Sequence, residues 1–258
     1  MIIKIIILMS FSFLLGQGME QIPSGTRPLG MGGAFVAVAD DANTINWNPA
    51  GLPGLRRTEF TSTYSDLYKL GITHSYLGFV RNFSDRIGFG LDWGNLGFDD
   101  KELLFSENKM NLSLGMQVFK GLSVGLTSKY LSRDMALDGT SYGKGSGIGY
   151  DIGLLWQATR YVRFGMSVYD FGGTDISYKD KIVETVLPEA RKFGVAVNPL
   201  DNLIIAADFG DRTHIGTELT IANKLLLRVG IQQETLSNEK LSIYSVGTSV
   251  KLKNFVFE

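Results

Sequence analysis

The sequence predicts an all-β chain that forms a transmembrane antiparallel β-barrel. Three observations predict it. Apolar residues alternate with small or polar ones along most of the chain, many of these runs have the length of a membrane strand, and short connections alternate with long ones. The 258 residues carry 25 Lys and Arg against 26 Asp and Glu, a formal charge of -1. That balance lacks the basic excess of a nucleic-acid binder. There is no cysteine, which excludes a disulfide scaffold, thiolate metal sites and a catalytic thiol. Glycine takes 31 positions, well above the usual share of about 7%.

The chain opens as an export address. Lys4 precedes an apolar run from Ile5 to Leu15, broken by Ser10 and Ser12, and Gly16 and Gly18 follow. This pattern predicts a signal peptide over residues 1–18, because the run is far shorter than the roughly 20 residues a spanning helix needs. No later apolar run approaches helical membrane length, so entry into a membrane requires strands closed into a barrel.

The body of the chain, 55–258, has period two. Ile87, Phe89, Leu91 and Trp93 alternate with Arg86, Gly88, Gly90, Asp92 and Gly94. In a strand the two sets point to opposite faces. The same pattern recurs around Leu112–Val118, Leu122–Leu126, Ile148–Trp156 and Val162–Val168. It continues around Phe193–Val197, Leu203–Phe209, Ile215–Ile221, Leu225–Ile231 and Tyr244–Leu252. Two weaker runs precede these ten, near Thr58–Tyr68 and Ile72–Arg81. Many runs reach about nine to eleven residues, as tilted membrane strands do. Their second face carries Gly, Ser, Asp, Arg and Gln, suited to a wet lumen. Trp93, Tyr130, Trp156, Tyr169 and Phe209 stand at run ends, where an interfacial girdle belongs.

Connections after even-numbered runs are short: 82–85, 120–121, 158–161, 199–202 and 223–224. Those after odd-numbered runs are expected as longer loops: 95–109, 132–146, 172–189 and 233–241, with 210–212 as a tight exception. Outer-membrane barrels show this segregation of periplasmic turns from outer loops. Lys251 to Asn254 is another short turn, and Phe255 to Glu258 starts a thirteenth strand. Bacterial barrels have even strand numbers, so the sequence is expected to stop short of the complete barrel by about one and a half strands.

Residues 19–54 carry the most specific pattern. Gly25-Thr26-Arg27-Pro28-Leu29-Gly30-Met31-Gly32-Gly33-Ala34-Phe35-Val36-Ala37-Val38-Ala39-Asp40-Asp41 is followed by Asn46-Trp47-Asn48-Pro49-Ala50-Gly51-Leu52. This stretch, about a tenth of the chain, resembles the opening of the PorV/PorQ family, related to FadL-type outer-membrane transporters. The resemblance implies a barrel of about fourteen strands with this segment folded inside as a plug. It nominates Gly30, Gly32, Gly33, Phe35, Asp40, Asp41, Asn46, Trp47, Asn48, Pro49 and Gly51 as plug residues for gating or ligand contact. The residues agree: the glycines permit close backbone approach and φ > 0. Asp40 and Asp41 are placed to cap a short helix from Ala42, and Asn48-Pro49 to start another helical turn.

Further charge candidates on the polar faces are Arg86, Asp92, Asp151, Arg163 and Arg228. Gly30 to Gly33 lacks dinucleotide-loop spacing, and Gly143, Gly145, Gly147 and Gly149 lack the Gly-Lys-Ser/Thr ending of a phosphate loop. The four are expected in an outer loop entering a strand. Asp99, Asp100 and Glu102, and Asp175, Asp180 and Glu184, read as solvated loop charge, and His74 and His214 as unpartnered wall residues. No catalytic constellation, metal site or cofactor site is expected, so the chain is not read as an enzyme. The expected partners are outer-membrane lipid and either a hydrophobic small-molecule ligand or secreted cargo proteins, and no nucleic acid. Three functions stay open: a FadL-like conduit, a PorV-like accessory of protein secretion or surface attachment, and a secreted soluble β protein.

Overall fold

The computed structural model describes residues 24–67, 69–99, 103–178, 185–234 and 242–258. The expected signal peptide and the loop carboxylates Asp100, Glu102, Asp180 and Glu184 lie outside them. Among the described residues, fifteen strands follow three short helical turns. They are β1 (Glu59–Leu67), β2 (Ile72–Ser84), β3 (Ile87–Asp99), β4 (Leu103–Phe119) and β5 (Leu122–Leu137). Then come β6 (Thr140–Gln157), β7 (Val162–Tyr169), β8 (Thr174–Tyr178), β9 (Thr185–Leu187) and β10 (Ala190–Leu200). The last are β11 (Leu203–Phe209), β12 (Arg212–Ile221), β13 (Leu225–Glu234), β14 (Ser242–Leu252) and β15 (Phe255–Phe257). All but β8 and β9 form one antiparallel meander in chain order, with β7 beside β10. Each alternating run of the sequence lies in a wall strand.

The sheet curls around the N-terminal segment. Gly30 packs on Gly247 of β14, while Ile45 packs on Gly90 of β3. The two sides of the plug thus touch opposite parts of the meander. Among the described residues no ladder joins β15 to β1.

The burial pattern is inside out. Leu91, Leu112, Leu126, Ile148, Val229 and Val246 face outward and are exposed, Val246 by 85%. Asp92, Asn111, Thr127, Asp151, Asp208 and Arg228 face inward and are buried. A water-soluble β protein has the reverse distribution, since apolar area in water costs about 25 cal/mol per Å². In a bilayer the arrangement is the stable one, with backbone groups of adjacent strands paired across the ladders. None of the described helices is long and apolar enough to cross a membrane.

Two of the expected long loops are strands instead. Residues 132–146 form the upper parts of β5 and β6, closed by a two-residue turn in which Asp138 and Gly139 have φ of 50° and 73°. Positive φ at both central residues is the hairpin turn that Asp-Gly favours, because its twist matches that of the strands. Residues 95–99 and 103–109 likewise belong to β3 and β4, with Asp99 paired to Leu104. The expected loop 172–189 contains β8 and β9. The glycines Gly143, Gly145, Gly147 and Gly149 lie within β6 rather than in a loop before it.

Candidate functional site: the plugged lumen

The plug is built from Thr26–Gly30 (α1), Thr44–Trp47 (α2) and a 3-10 turn at Pro49–Gly54. Gly32 and Gly33, at φ 64° and 83°, turn the chain between α1 and the apolar stretch Ala34–Ala39, which is buried throughout. Asp41 Oδ1 accepts from Asn43 N at 2.8 Å. The helix begins at Thr44 after Asn43, not at Ala42, and Asp40 caps nothing; its carboxylate turns to Arg27 instead. Asn48 Oδ1 accepts from Ala50 N at 3.1 Å, and Pro49 opens the 3-10 turn.

Glycines of the wall make room for this segment. A Cβ on Gly115 or Gly125 would stand 2.6 or 2.3 Å from Pro49 backbone atoms; one on Gly153 would stand 2.2 Å from Asn48 Oδ1. The same holds at Gly165 against Val36 O (2.4 Å), Gly216 against Met31 O (2.3 Å) and Gly230 against Gly32 N (2.2 Å). These positions are in register. Gly88, Gly115, Gly125 and Gly153 are direct cross-strand partners over four strands. Ala196, Ala206, Gly216 and Gly230 do the same over four others. Two rows of small residues therefore let plug backbone lie against wall backbone.

Polar contacts then fasten the plug. Arg27 donates from Nε and Nη2 to both oxygens of Glu218 (2.8 and 2.9 Å) and from Nη1 to Asp40 and Asp41 (2.6 and 2.8 Å). Glu218 also takes Arg228 Nε at 2.5 Å from the directly opposed strand position. Arg163 Nη1 donates to Val38 O at 2.8 Å. Burial alone would lower the Arg27 guanidinium, but the three carboxylates hold it above its ordinary value. Burial likewise would raise Asp40, and Arg27 and Arg163 hold its carboxyl below the usual range. On the other flank Asp208 Oδ2 accepts from Phe35 N and Val36 N (2.7 and 2.8 Å). His214 Nδ1 lies 2.7 Å from Gly32 O, so it carries the proton and donates, because a carbonyl only accepts.

The side-chain amide of Asn46 fills a socket. Its Nδ2 donates to Tyr76 OH and Asp92 Oδ2, both at 2.8 Å. Its Oδ1 accepts from Lys109 Nζ at 2.8 Å and Asn111 Nδ2 at 3.1 Å. All four hydrogen-bonding positions of the amide are used. Trp47 O accepts from Ser167 Oγ and Tyr169 OH (2.8 and 2.7 Å), and Asn48 Nδ2 donates to Val36 O and Leu154 O.

Above the plug a second cluster lies in the lumen. Lys129 Nζ is 2.7 Å from both Asp151 Oδ1 and Asp170 Oδ1. Leu131, two residues on in β5, is buried, as are Phe105 of β4, Ile176 of β8 and Leu187 of β9. Lys192 Nζ sits over the rings of Trp47 and Tyr169, 5.7 and 5.9 Å from their centres.

The structure thus gathers the plug motif at the wall, with Gly51 so close to Ala39 O that a Cβ there would stand 2.0 Å from it. Asp92, Asp151, Arg163 and Arg228 all face the lumen. Arg86 does not: it lies exposed in the turn between β2 and β3, because the strand starts one residue later. His74 and His214 are buried inside, and His214 is partnered by the plug. Lys109, Lys129, Asp208 and Glu218 were not singled out by sequence reasoning. The available signal was parity, since each stands at a polar phase of an alternating strand.

No protein-family model matches the chain, and no curated protein does. Several solved structures do. The chain superposes on the CymD monoaromatic hydrocarbon channel with a TM-score of 0.71 at 15% identity, covering 91% of this chain and 90% of that one. It matches the Pseudomonas putida toluene transporter TodX (TM-score 0.66, 12% identity, 92% and 91% covered). It also matches a Pseudomonas aeruginosa FadL homologue (0.64, 10%, 92% and 88%). The protein therefore has the fold of FadL-type channels.

Proposed function

We propose that the protein is an outer-membrane conduit for apolar small molecules, of the PorV/PorQ type, exported by its N-terminal signal peptide. The observation that carries this reading is a lumen filled by a plug whose polar attachment to the wall is made of hydrogen bonds and ion pairs, which a shift of the segment can exchange. The apolar exterior supports a membrane location, and the likeness to the monoaromatic hydrocarbon channel CymD and the toluene transporter TodX supports monoaromatic hydrocarbons as the ligand class. The motif of residues 25–52 supports the PorV/PorQ assignment, and its residues are the ones that anchor the plug.

The test is uptake of radiolabelled toluene by cells whose outer membrane carries the chain. Uptake above that of cells lacking it, raised further by Asn46→Ala, is expected. A barrel that inserts, shifts on gels only after heating, and adds no uptake would refute the conduit. A second reading, an accessory that holds secreted cargo, is favoured by one feature: β4, β5 and β6 run to 17, 16 and 18 residues. They are well beyond the 9–11 a bilayer requires, so their upper hairpins offer a surface. Co-isolation of a secreted protein dependent on residues 95–109 would support it.

A further inference from the structure

We propose that β8 is a second closure of the lumen, separate from the plug, and that Lys129 is its latch; this rests on the conduit reading. β8 turns inward, and its Thr174 and Ile176 are fully buried. The wall is shaped for it: Gly145, Gly147 and Gly149 occupy three consecutive inward positions of β6. A Cβ there would stand 2.7 Å from Tyr178, 2.3 Å from Asp175 O and 2.2 Å from Thr174 Oγ1 respectively. Leu131, buried on β5, is the direct cross-strand partner of Gly147, so the Ile176 side chain adjoins an apolar lining rather than the polar plug.

The attachment is slight and localised. β8 pairs with β6 only through Tyr178 to Gly145 and Ser177 to Ser146, and with β9 over Thr174–Ile176. Its foot is the buried charge cluster. Lys129 Nζ bridges Asp151 and Asp170; Asp170 N donates to Asp151 Oδ1 at 2.8 Å, and Thr174 Oγ1 donates to Asp170 Oδ1 at 2.8 Å. Without the ammonium, Asp151 and Asp170 lose the cation that bridges them, and the foot of β8 is weakened. The bend between β7 and β8 has positive φ at Asp170, Gly172 and Gly173 (50°, 77° and 85°). Gly172 N also donates to Glu189 Oε2, which ties the bend before β8 to the residue that precedes β10. Apolar solute reaches the plug only after Ile176 leaves the lumen.

Two variants test this. Lys129→Met keeps the length of the stem and removes the charge. The Ile176 and Ser177 amides are expected to exchange hydrogen at least about tenfold faster, with those of 112–116 unchanged. Ser146→Cys with Ser177→Cys, in a chain otherwise free of cysteine, joins directly opposed positions by a disulfide that locks β8 in place. Oxidised, it is expected to abolish toluene uptake; reduced, to restore it. Unchanged exchange in Lys129→Met overturns the latch, and uptake that persists in the oxidised pair overturns the closure. Absence of uptake in the unaltered chain refutes the conduit instead, and the exchange measurement still decides the latch.

Discussion

Gly125→Ala adds one methyl group where wall and plug backbones lie against each other. Its Cβ would stand 2.3 Å from Pro49 C and 2.4 Å from Ala50 N. Ordinary contact begins near 3.4 Å, so one backbone must retreat by about 1.1 Å (3.4 − 2.3). Neither neighbour is a flexible side-chain end. β5 is held by ladders on both sides, and the plug is the part that yields. Overpacking of this kind costs about 1–3 kcal/mol. A retreat of that size also strains the Asn48 Nδ2 bond to Leu154 O at 3.0 Å, worth about 1 kcal/mol. The sum, about 2–4 kcal/mol, corresponds to amide exchange of residues 34–50 roughly 30- to 1,000-fold faster at 1.4 kcal/mol per tenfold. Gly94→Ala is the matched control: its Cβ meets nothing nearer than 3.9 Å, and it is expected to be neutral or slightly stabilising through the unfolded chain. Hydrogen exchange read by mass spectrometry separates plug from wall. If the plug of Gly125→Ala is as protected as that of Gly94→Ala, the glycine rows are not the spacing device argued above.

Acid should release the plug on its Arg27 flank. Asp40 titrates below its ordinary value because Arg27 and Arg163 face it. Its stabilisation is therefore complete above the unfolded value of about 3.9 and is lost as pH falls through the lower folded value. Trp47 fluorescence, with Trp93 and Trp156 replaced by Phe, should show a step as pH falls below about 4. Asp40→Asn should loosen the plug at neutral pH and shrink that acid step; an identical step would remove Asp40 from the account. On the outer surface, Leu126→Arg should cost about 2–4 kcal/mol of barrel stability if it lies near the bilayer midplane. Thermal unfolding in lipid vesicles measures this, and a neutral result would place β5 outside the membrane.

Much of the wall was legible because strand alternation is a local property. Ile148, Tyr150 and Ile152 were assigned to the face opposite Asp151 from spacing alone, and they are exposed while Asp151 is buried. The hairpin at Asp138-Gly139 was missed: the weak alternation of 132–146 read as a loop, although Asp-Gly is the turn pair such a hairpin favours. β8 and β9 were not legible either, since five and three residues leave no periodic signal and their place depends on β6. The same is true of Lys129: its polar phase was readable, its two carboxylate partners were not.

By itself the sequence determined which residues of a wall strand share the outer face and which the inner one, because a strand sends successive side chains to opposite sides whatever surrounds it. Only the tertiary structure decided which lumen residue meets which plug residue. Arg27 finds Glu218 across 191 positions, and Asn46 finds Lys109 across 63. Those meetings depend on the register between strands and the curl of the sheet. Both are set by the whole set of ladders together with the segment they enclose, so no stretch of sequence specifies them alone.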